Sequence, residues 1–476
     1  DENTPTTEKA QEPVVTENEQ TEDLTQYVGM EIEIDDRKFV VDNVNTEFES
    51  VSLRDITFEN GTGFPIFRRE STDWLSYYIK HQQSSNQTQE IQEENSDTLT
   101  VDIKTPKQKS VDTMLHPEIS ERKNFVITTD ELGYGTAGEK YTANVNAIRL
   151  LKTLEDEHRL ATPEEQEILS NYVGWGGLAD CFDEKNSKYQ ELKSLLTDDE
   201  YEQARASTLN AHYTSPTVIK AMYKALENMG FKQGNILEPS CGVGNFMGLL
   251  PESMSESKFY GVELDSITGR IAKQLYPNHS ITVSGFEDVV MSDSFFDVAI
   301  GNVPFENYKI PDKKYDKHNF LIHDFFFAKT LDKVRPGGVV AFITSMGTMD
   351  KQNSSVRKYI AQRADLLGAI RLPNNAFLKN AGTQVTSDIL FLQKRDRMTD
   401  IMPEWVHLGK LENGLTVNQY FVDNPDMILG EMTEESSQYG KSLTCKPYEE
   451  ADLAQQLNDA IQNIHAQITE YEFEDI

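Results

Sequence analysis

The chain has 476 residues, a net charge of −34 and a hydrophobic fraction of 38%. This size exceeds one ordinary core, and no apolar run approaches the roughly 18 residues that span a bilayer, so the composition excludes a single small domain and a membrane-spanning protein. Three scattered cysteines are too few for a disulfide framework or a zinc site, which fits a cytoplasmic protein that binds no metal. Because the chain begins at Asp1 and ends in an acidic stretch, we expect it to be part of a longer polypeptide.

The acidity is unevenly distributed along the chain. Residues 1–25 carry eight acids and one lysine, and residues 401–476 carry fifteen acids and three lysines. Residues 201–400 carry 21 acids and 23 bases, a net charge of +2. A large negative charge opposes nucleic-acid binding because phosphates need Lys and Arg. The central region has no excess of negative charge that would oppose DNA binding, although we expect the whole chain to bind DNA weakly.

The N-terminal part predicts three segments. Residues 1–25 are acidic, poor in large apolar residues and typical of a disordered tail. Residues 26–80 contain short β-rich runs between turn residues, which predict a small β domain whose function the sequence does not indicate. The runs lie at residues 30–34, 38–41, 51–54 and 64–67. Residues 81–120 are a polar linker.

Residues 121–205 predict a helical segment. Apolar residues recur at helical spacing between Asn144 and Leu160, and Thr162 followed by Pro163 is typical of a helix start. The Gly-rich stretch at residues 172–178 has two interpretations. It is a turn that lets Trp175 pack on a neighbour, which we favour, or a loop that faces nucleic acid.

From residue 206 to about 398, strands and helices alternate. Strands are predicted at residues 235–238, 257–263, 280–283, 295–300, 338–343, 366–371 and 387–392, and helices at 266–275, 321–334 and 355–363. This alternation predicts an α/β fold with a Rossmann-like, doubly wound, mostly parallel sheet, which binds ligands beyond the carboxyl ends of its strands. Residues 399–476 are an acidic C-terminal extension in which residues 449–470 predict a polar helix. That extension leaves no room for a sequence-reading domain of normal size.

Two strand ends predict a cofactor site. The first strand ends at Glu238, and Pro239 then leads into a turn with Gly242 and Gly244, where small residues let the backbone approach a ligand. About 20 residues further on, Glu263 follows the next strand at the position from which a carboxylate grips a ribose diol, with Asp265 in reserve. Glu238 is placed to hold a ligand ammonium group.

A third strand runs into Asn302-Val303-Pro304-Phe305. The nitrogen of an exocyclic amine is a poor nucleophile while its lone pair is conjugated into the ring. The Asn302 side-chain oxygen and the Val303 carbonyl provide two acceptors for its N–H hydrogens, which favours a tetrahedral nitrogen. Pro304 stiffens the turn, and Phe305 offers a face on which a base can stack. A base inside a duplex is out of reach, so it must be flipped out.

These motifs and their order resemble the gamma class of N6-adenine DNA methyltransferases, which includes modification subunits of type I restriction systems. The resemblance covers about 190 residues and is carried by Asn210–Pro216, Leu237–Gly244, Gly261–Asp265, Gly301–Phe305 and Arg335–Ile343, with weaker likeness at Ile370–Phe377 and Val385–Leu392. It implies a class I methyltransferase fold, S-adenosyl-L-methionine as cofactor and DNA as partner. Residues 124–400 and the small β domain more loosely resemble the methylase part of large methylase–helicase proteins of conjugative elements and phages, a likeness carried by Thr162–Leu169 and Tyr172–Gly177. It implies a helicase or specificity module in the same polypeptide or as a partner.

The resemblance also implies roles for single residues. Tyr213, Thr214 and Pro216 would contact the cofactor, Glu238 and Gly242 would lie at its methionine end, and Glu263 at its ribose. Phe286 would stack on the cofactor adenine, and Phe377 would pack on the flipped base. The chain departs from the family pattern at Val303, where Pro is usual, and at the third strand end, where Glu287 or Asp288 replaces the usual acid.

After the tetrapeptide comes a loop of basic and aromatic residues. Its lysines are Lys309, Lys313, Lys314 and Lys317, which suit DNA phosphates beside the flipped base, although a solvated loop is the alternative. The sequence thus favours methyl transfer to N6 of adenine in DNA. The alternatives are a non-catalytic DNA-binding or anti-restriction subunit of the same fold, or methylation of protein glutamine or RNA.

Overall fold

The computed structural model describes residues 24–34, 37–45, 50–55, 67–71, 75, 122–208, 214–305, 309–378, 384–437 and 440–469. Nearly all of the predicted acidic tail, the predicted linker and Tyr213 lie outside these residues. The chain forms two compact units, one with the N-terminal strands and one with the remainder, which are described separately. Within the described residues, no helix combines the length and the apolar character required to cross a bilayer.

The first unit is a sheet in the order β1-β2-β3-β4, in which the β1–β2 and β2–β3 pairs are antiparallel. Its strands are β1 (Glu31–Ile34), β2 (Arg37–Asn45), β3 (Ser50–Asp55) and β4 (Phe67–Ser71). Ile32, Val41 and Leu53 belong to a small apolar core of its own. The prediction of a β domain is confirmed; of the predicted run at residues 64–67, only Phe67, where β4 begins, lies within the described residues.

The second unit begins with helices that the sequence caps locally. They are α1 (Ala137–Asp156), α2 (Pro163–Ser170), α3 (Tyr189–Leu195) and α4 (Asp198–Ser207). Thr136, Thr162 and Thr197 each precede a helix and accept a hydrogen bond from the backbone N–H of a Glu three residues on, whose carboxylate bonds back to the Thr backbone N–H. These capping boxes satisfy backbone donors that the helix cannot pair internally. The first helix therefore begins at residue 137, one and a half to two turns earlier than predicted.

A seven-stranded sheet forms the centre of this unit, in the order β10-β11-β9-β8-β5-β6-β7. The strands are β5 (Asn235–Glu238), β6 (Lys258–Glu263), β7 (Ser280–Val283), β8 (Phe296–Asn302), β9 (Val334–Ser345), β10 (Ala364–Arg371) and β11 (Ser387–Lys394). The pairs from β7 to β9 are parallel, and β11 pairs antiparallel with both of its neighbours. The predicted Rossmann-like, mostly parallel α/β fold of class I methyltransferases is confirmed.

Helices connect these strands. They are α5 (Pro216–Asn228), α6 (Asn245–Gly248), α7 (Ser266–Leu275), α8 (Ile322–Lys333), α9 (Gly347–Asp350) and α10 (Ser355–Ala361). The predicted bounds of β5, β7 and α7 agree with the structure residue for residue, and those of α8 to within one residue at each end.

The residues after 398 are part of the same core. They form β12 (Leu408–Lys410), β13 (Thr416–Asn418), α11 (Gln419–Asp423), β14 (Gly430–Ser437), β15 (Gly440–Pro447) and α12 (Leu453–Ile461). A continuous apolar cluster runs from Ile127 to Ile468. The predicted polar helix at residues 449–470 is wrong: α12 is shorter and buries Leu457, Ala460 and Ile461.

A buried ionic cluster stands beside this C-terminal part. Arg371, at the end of β10, is fully buried and binds both carboxylate oxygens of Asp388 at 2.8 and 2.9 Å and Asp350 at 2.7 Å. Its guanidinium lies 4.4 Å from the ring centroid of Phe421. Asn418 donates its backbone N–H to Asp350 at 2.9 Å. The C-terminal residues thus help to satisfy charges buried at the end of β10.

Candidate active site

The carboxyl ends of neighbouring parallel strands meet at one edge of the sheet. Glu238 ends β5, Glu263 ends β6, and Asn302 ends β8. The chain order reverses between β5 and β8, and such a reversal leaves a crevice where open α/β sheets bind ligands. A cavity of about 530 Å³ lies there.

The cavity brings together most of the predicted site. The predicted residues along its wall are Thr214, Glu238, Pro239, Gly242, Glu263, Phe286, Asn302, Val303 and Pro304, with Asp265 and Glu287 beside them. The wall does not include Pro216, Gly244, Phe305, Phe377 or the four lysines, and Tyr213 is outside the described residues. Phe377 is completely buried, so its ring has no face open to a base in this structure.

Glu238 is a buried carboxylate at the cavity wall. Its side chain is 1% exposed, and Oε2 has no hydrogen-bond partner among the described residues. Burial, and then the nearby Glu263 carboxylate, raise the pKa of Glu238 well above its usual range. A buried acceptor of this kind calls for a cationic donor from a ligand, because an unpaired buried carboxylate is costly.

Glu263 is held by backbone N–H groups. Its Oε2 accepts a hydrogen bond from Gly242 at 2.8 Å, and its Oε1 accepts one from Asp265 at 2.9 Å. Burial, followed by the Asp265 carboxylate, raises the pKa of Glu263 to about 7. These two bonds fix the carboxylate plane and leave each oxygen with a further lone pair for a diol. Asp265 itself caps α7 by accepting from Thr268 N–H at 2.8 Å.

The two glycines of the turn have different reasons to be glycine. Gly242 has φ 56° and lies on the cavity wall, as predicted. Gly244 has φ 86°, and a Cβ there would lie 2.5 Å from Cε2 of Tyr276. Gly244 is therefore required by backbone conformation and by packing against Tyr276, and it does not reach the cavity.

Asn302 projects from the end of β8 beside the cavity. Its amide nitrogen donates to the Thr214 hydroxyl at 3.1 Å, which turns the amide oxygen to the other side. The next residue, Val303, is 2% exposed and donates its N–H to the Ile343 carbonyl at 3.0 Å. The start of the tetrapeptide is thus anchored to β9 although Val stands in place of Pro.

An apolar end of the cavity surrounds Phe286. Its ring lies 5.0 Å from that of Phe326, and Ile310 and Ile322 complete this wall. Behind it, the buried Lys329 donates to the Glu287 carbonyl at 2.9 Å and lies 5.2 Å from the Phe286 centroid. This end suits a planar aromatic group such as adenine.

Residues that the sequence did not reveal close another side of the cavity. They are Gly174, Gln203, Ala206 and Ser207, from the helical segment. Asn144 clamps the Gly-rich stretch, donating to the Gly174 carbonyl at 2.6 Å and accepting from Val173 N–H at 2.9 Å. Trp175 is 1% exposed and packs edge-on against Phe182, which confirms the packing interpretation.

The basic loop is partly neutralised. Lys314 pairs with Asp332 at 2.8 Å and with Asp293 at 3.6 Å, and Lys309 donates to the Asn319 side chain. Lys313 and Lys317 are exposed. Lys314 therefore serves first to anchor the loop to α8, and the proposed phosphate contacts depend mainly on the other lysines.

Comparisons with known proteins agree with this geometry. Residues 196–407 match the N-6 DNA Methylase family model. The chain is 30% identical over 278 residues to Defense against restriction protein B of Escherichia phage P1, and 25% identical over 136 residues to Modification methylase CviBIII of Paramecium bursaria Chlorella virus NC1A. These matches cover 57% and 28% of this chain, but only 11% and 36% of the two relatives.

A solved structure described as a modification subunit of a type I restriction enzyme from Vibrio vulnificus YJ016 is also similar. The two chains are 16% identical, the match covers 62% of this chain and 67% of that chain, and the TM-score is 0.36. The strand order and the cavity of this chain establish the fold independently of that structure.

S-adenosylmethionine, the cofactor of class I methyltransferases, fits the residues of the cavity. The buried Glu238 carboxylate suits its ammonium group, the Glu263 carboxylate suits its ribose hydroxyls, and the apolar end suits its adenine. Residues 196–407 are therefore similar to the N-6 DNA Methylase family in sequence, and their cavity suits S-adenosylmethionine as cofactor.

Proposed function

We propose that this chain transfers a methyl group from S-adenosylmethionine to N6 of an adenine flipped out of DNA. The observation that carries the proposal is the place of Asn302, which ends β8 on the wall of the same cavity as Glu238 and Glu263. The bound cofactor supplies an electrophilic methyl group on its sulfonium. The cavity residues have to present an amino nitrogen to it.

Asn302 and Val303 perform that presentation. With its nitrogen held by Thr214, Asn302 directs its amide oxygen toward one N–H of the amine, and the Val303 carbonyl accepts the other. Both acceptors are neutral, so they favour a tetrahedral nitrogen without deprotonating it beforehand. A more tetrahedral nitrogen has its lone pair released from the ring and directed at the methyl carbon. The proton leaves after transfer, when the nitrogen has become cationic and acidic.

Asn302→Ala tests this proposal. We expect methyl transfer from tritiated S-adenosylmethionine to adenine-containing duplex DNA to fall by about 100-fold or more, as for loss of a transition-state hydrogen-bond donor or acceptor. Cofactor binding, measured by calorimetry, stays within a few-fold of the unaltered chain. Asn171→Ala, at the end of α2 and exposed, is the matched control.

The chemical identity of the methylated product shows which substrate the chain modifies. Mass spectrometry of the digested DNA has to show N6-methyladenine. Label in RNA or in protein instead of DNA would overturn the adenine assignment. Cofactor binding without transfer to any acceptor would show a non-catalytic member of the fold.

A further inference from the structure

The β14–β15 hairpin begins at the edge of the sheet that holds the candidate active site. Leu429 donates its backbone N–H to the Arg371 carbonyl at 2.9 Å, and Ile428 forms an isolated parallel bridge with Arg371. Arg371 is the last residue of β10. The base of the hairpin therefore stands at the carboxyl end of that strand.

The hairpin is docked on the segment between β10 and β11. Cys445 accepts from Asn374 N–H at 2.7 Å and donates its own N–H to the Thr386 hydroxyl at 2.9 Å. The Asn374 amide also donates to the Thr444 hydroxyl at 3.0 Å. Met432, Thr444 and Cys445 are buried, so the inner half of the hairpin is fixed to the catalytic unit.

The strand register gives the distance between this base and Asn302. Asn302 pairs with Ile343, Ile343 with Ile389, and Ile389 with Ile370. Three steps between strands about 4.8 Å apart place Ile370 about 14 Å from Asn302. Successive nucleotides of a DNA strand are about 3.4 Å apart along the helix axis. For a duplex that runs across the strands, this distance corresponds to about four base pairs.

The outer half of the hairpin is exposed and chemically suited to DNA. Glu434 pairs with Lys441 at 3.2 Å and Glu435 with Lys446 at 3.6 Å, so these acids do not present unbalanced charge. Ser436, directly opposite Lys441, and Ser442, directly opposite Glu435, are also exposed. Each strand of eight residues spans about 27 Å, and a two-stranded ribbon fits the major groove.

We propose that the outer end of β14–β15 contacts the DNA duplex within about four base pairs of the flipped adenine and contributes to sequence preference. Serine hydroxyl groups form hydrogen bonds with both donors and acceptors on base edges, and a lysine contacts phosphate or guanine. This inference rests on the proposed function for its substrate.

The first test compares two lysines in the full chain. Lys441→Ala removes an exposed ammonium paired with a Glu at 3.2 Å, and Lys224→Ala in α5 removes another with the same pairing distance. We expect Lys441→Ala to raise the KM for DNA about three- to tenfold and to reduce the salt slope of binding by about 1, while cofactor affinity and kcat stay unchanged. Lys224→Ala has to leave all of these unchanged. Equal KM and salt slope in the two variants would overturn the proposal.

The second test has two readouts, sequence preference and crosslinking, and the crosslinking does not depend on catalysis. Ser436→Ala with Ser442→Ala is expected to relax base preference within four positions of the methylated adenine in a randomised oligonucleotide pool. A photo-crosslinker at Ser442, but not at Lys224, is expected to capture duplex DNA. Crosslinking without methylation would leave the hairpin assignment standing and remove the catalytic proposal. Methylation with no crosslink at Ser442, or capture of protein instead of DNA, would overturn the hairpin assignment and leave the catalytic proposal standing.

Discussion

Replacing Glu238 by Gln keeps the volume of the side chain and removes its charge. Because Glu238 is buried with an unpartnered oxygen among the described residues, a cofactor ammonium would form a charge-assisted hydrogen bond shielded from water. Such a bond contributes about 1.5–3 kcal/mol, which corresponds to about 10- to 150-fold in Kd at 1.4 kcal/mol per tenfold. We expect Glu238→Gln to weaken S-adenosylmethionine binding by that factor, measured by calorimetry.

The pH dependence of binding follows from the same carboxyl. Burial raises the pKa of Glu238 in the free protein, and the ammonium binds the ionised form. Affinity of the unaltered chain therefore increases as pH rises toward and through that pKa, whereas Glu238→Gln has no such dependence. The difference between the two proteins has to shrink as pH falls.

A second ligand separates the role of Glu238 from general damage to the cavity. 5′-Methylthioadenosine keeps the adenosine and lacks the amino-acid end, so its Kd should be the same in both proteins. Glu263→Gln, by contrast, should weaken both ligands, because its carboxylate faces the ribose. An equal loss of affinity for both ligands in Glu238→Gln, or no loss of affinity for S-adenosylmethionine, would refute the assignment of Glu238 to the ammonium group.

Further predictions concern stability and the cavity wall. The pKa of Glu263 is raised to about 7, so the protonated side chain stabilises the cofactor-free protein fully below the usual pKa of a glutamate, and this stabilisation is lost as pH rises through about 7. The Tm of Glu263→Gln should lack that decrease with pH, and a pH profile identical to that of the unaltered chain would contradict the assignment. Asp388→Ala leaves the buried Arg371 with one carboxylate and should cost about 3–5 kcal/mol, seen as a Tm lower by roughly 4–7 °C, whereas a shift below about 2 °C would show that the pair is dispensable. Gln203→Ala removes a wall residue whose Oε1 accepts from Ser266 N–H at 2.9 Å, and we expect about a three- to tenfold higher cofactor Kd with an unchanged Tm. Truncation after residue 398 uncovers the apolar core beneath α11 and α12 and should yield an aggregating protein, so a soluble, cofactor-binding product would refute the single-core description.

The sequence predicted the sheet and the strand-end residues because both depend on local signals. Alternation of strands with helices, a Gly turn after a strand and an acid at the next strand end can each be read from neighbouring residues, as at β5, β7 and α7. Glu238, Glu263 and Asn302 meet in the structure because parallel strands bring their carboxyl ends to one edge. The order of the motifs was therefore enough to place them together.

Other residues escaped prediction because tertiary packing decides them. Gln203 and Ser207 reach the cavity from a helix that precedes the sheet, and no local pattern marks that approach. Lys314 belongs to a basic run, but its partner Asp332 lies in a different element. In α12 the buried Leu457, Ala460 and Ile461 are interspersed with polar residues, which hide its amphipathic character.

The apolar cluster that extends from Ile127 to Ile468 has an evolutionary consequence. The family match covers residues 196–407, yet a recombination event that carried only those residues would leave behind Gly174 on the cavity wall, Asn144 that holds it, and the C-terminal strands beside Arg371. The smallest segment that can be exchanged between proteins as a working part is therefore about residues 127–468, the extent of that core. Variation among relatives should accumulate outside these limits, or in the outer half of β14–β15, and gene fusions should join there.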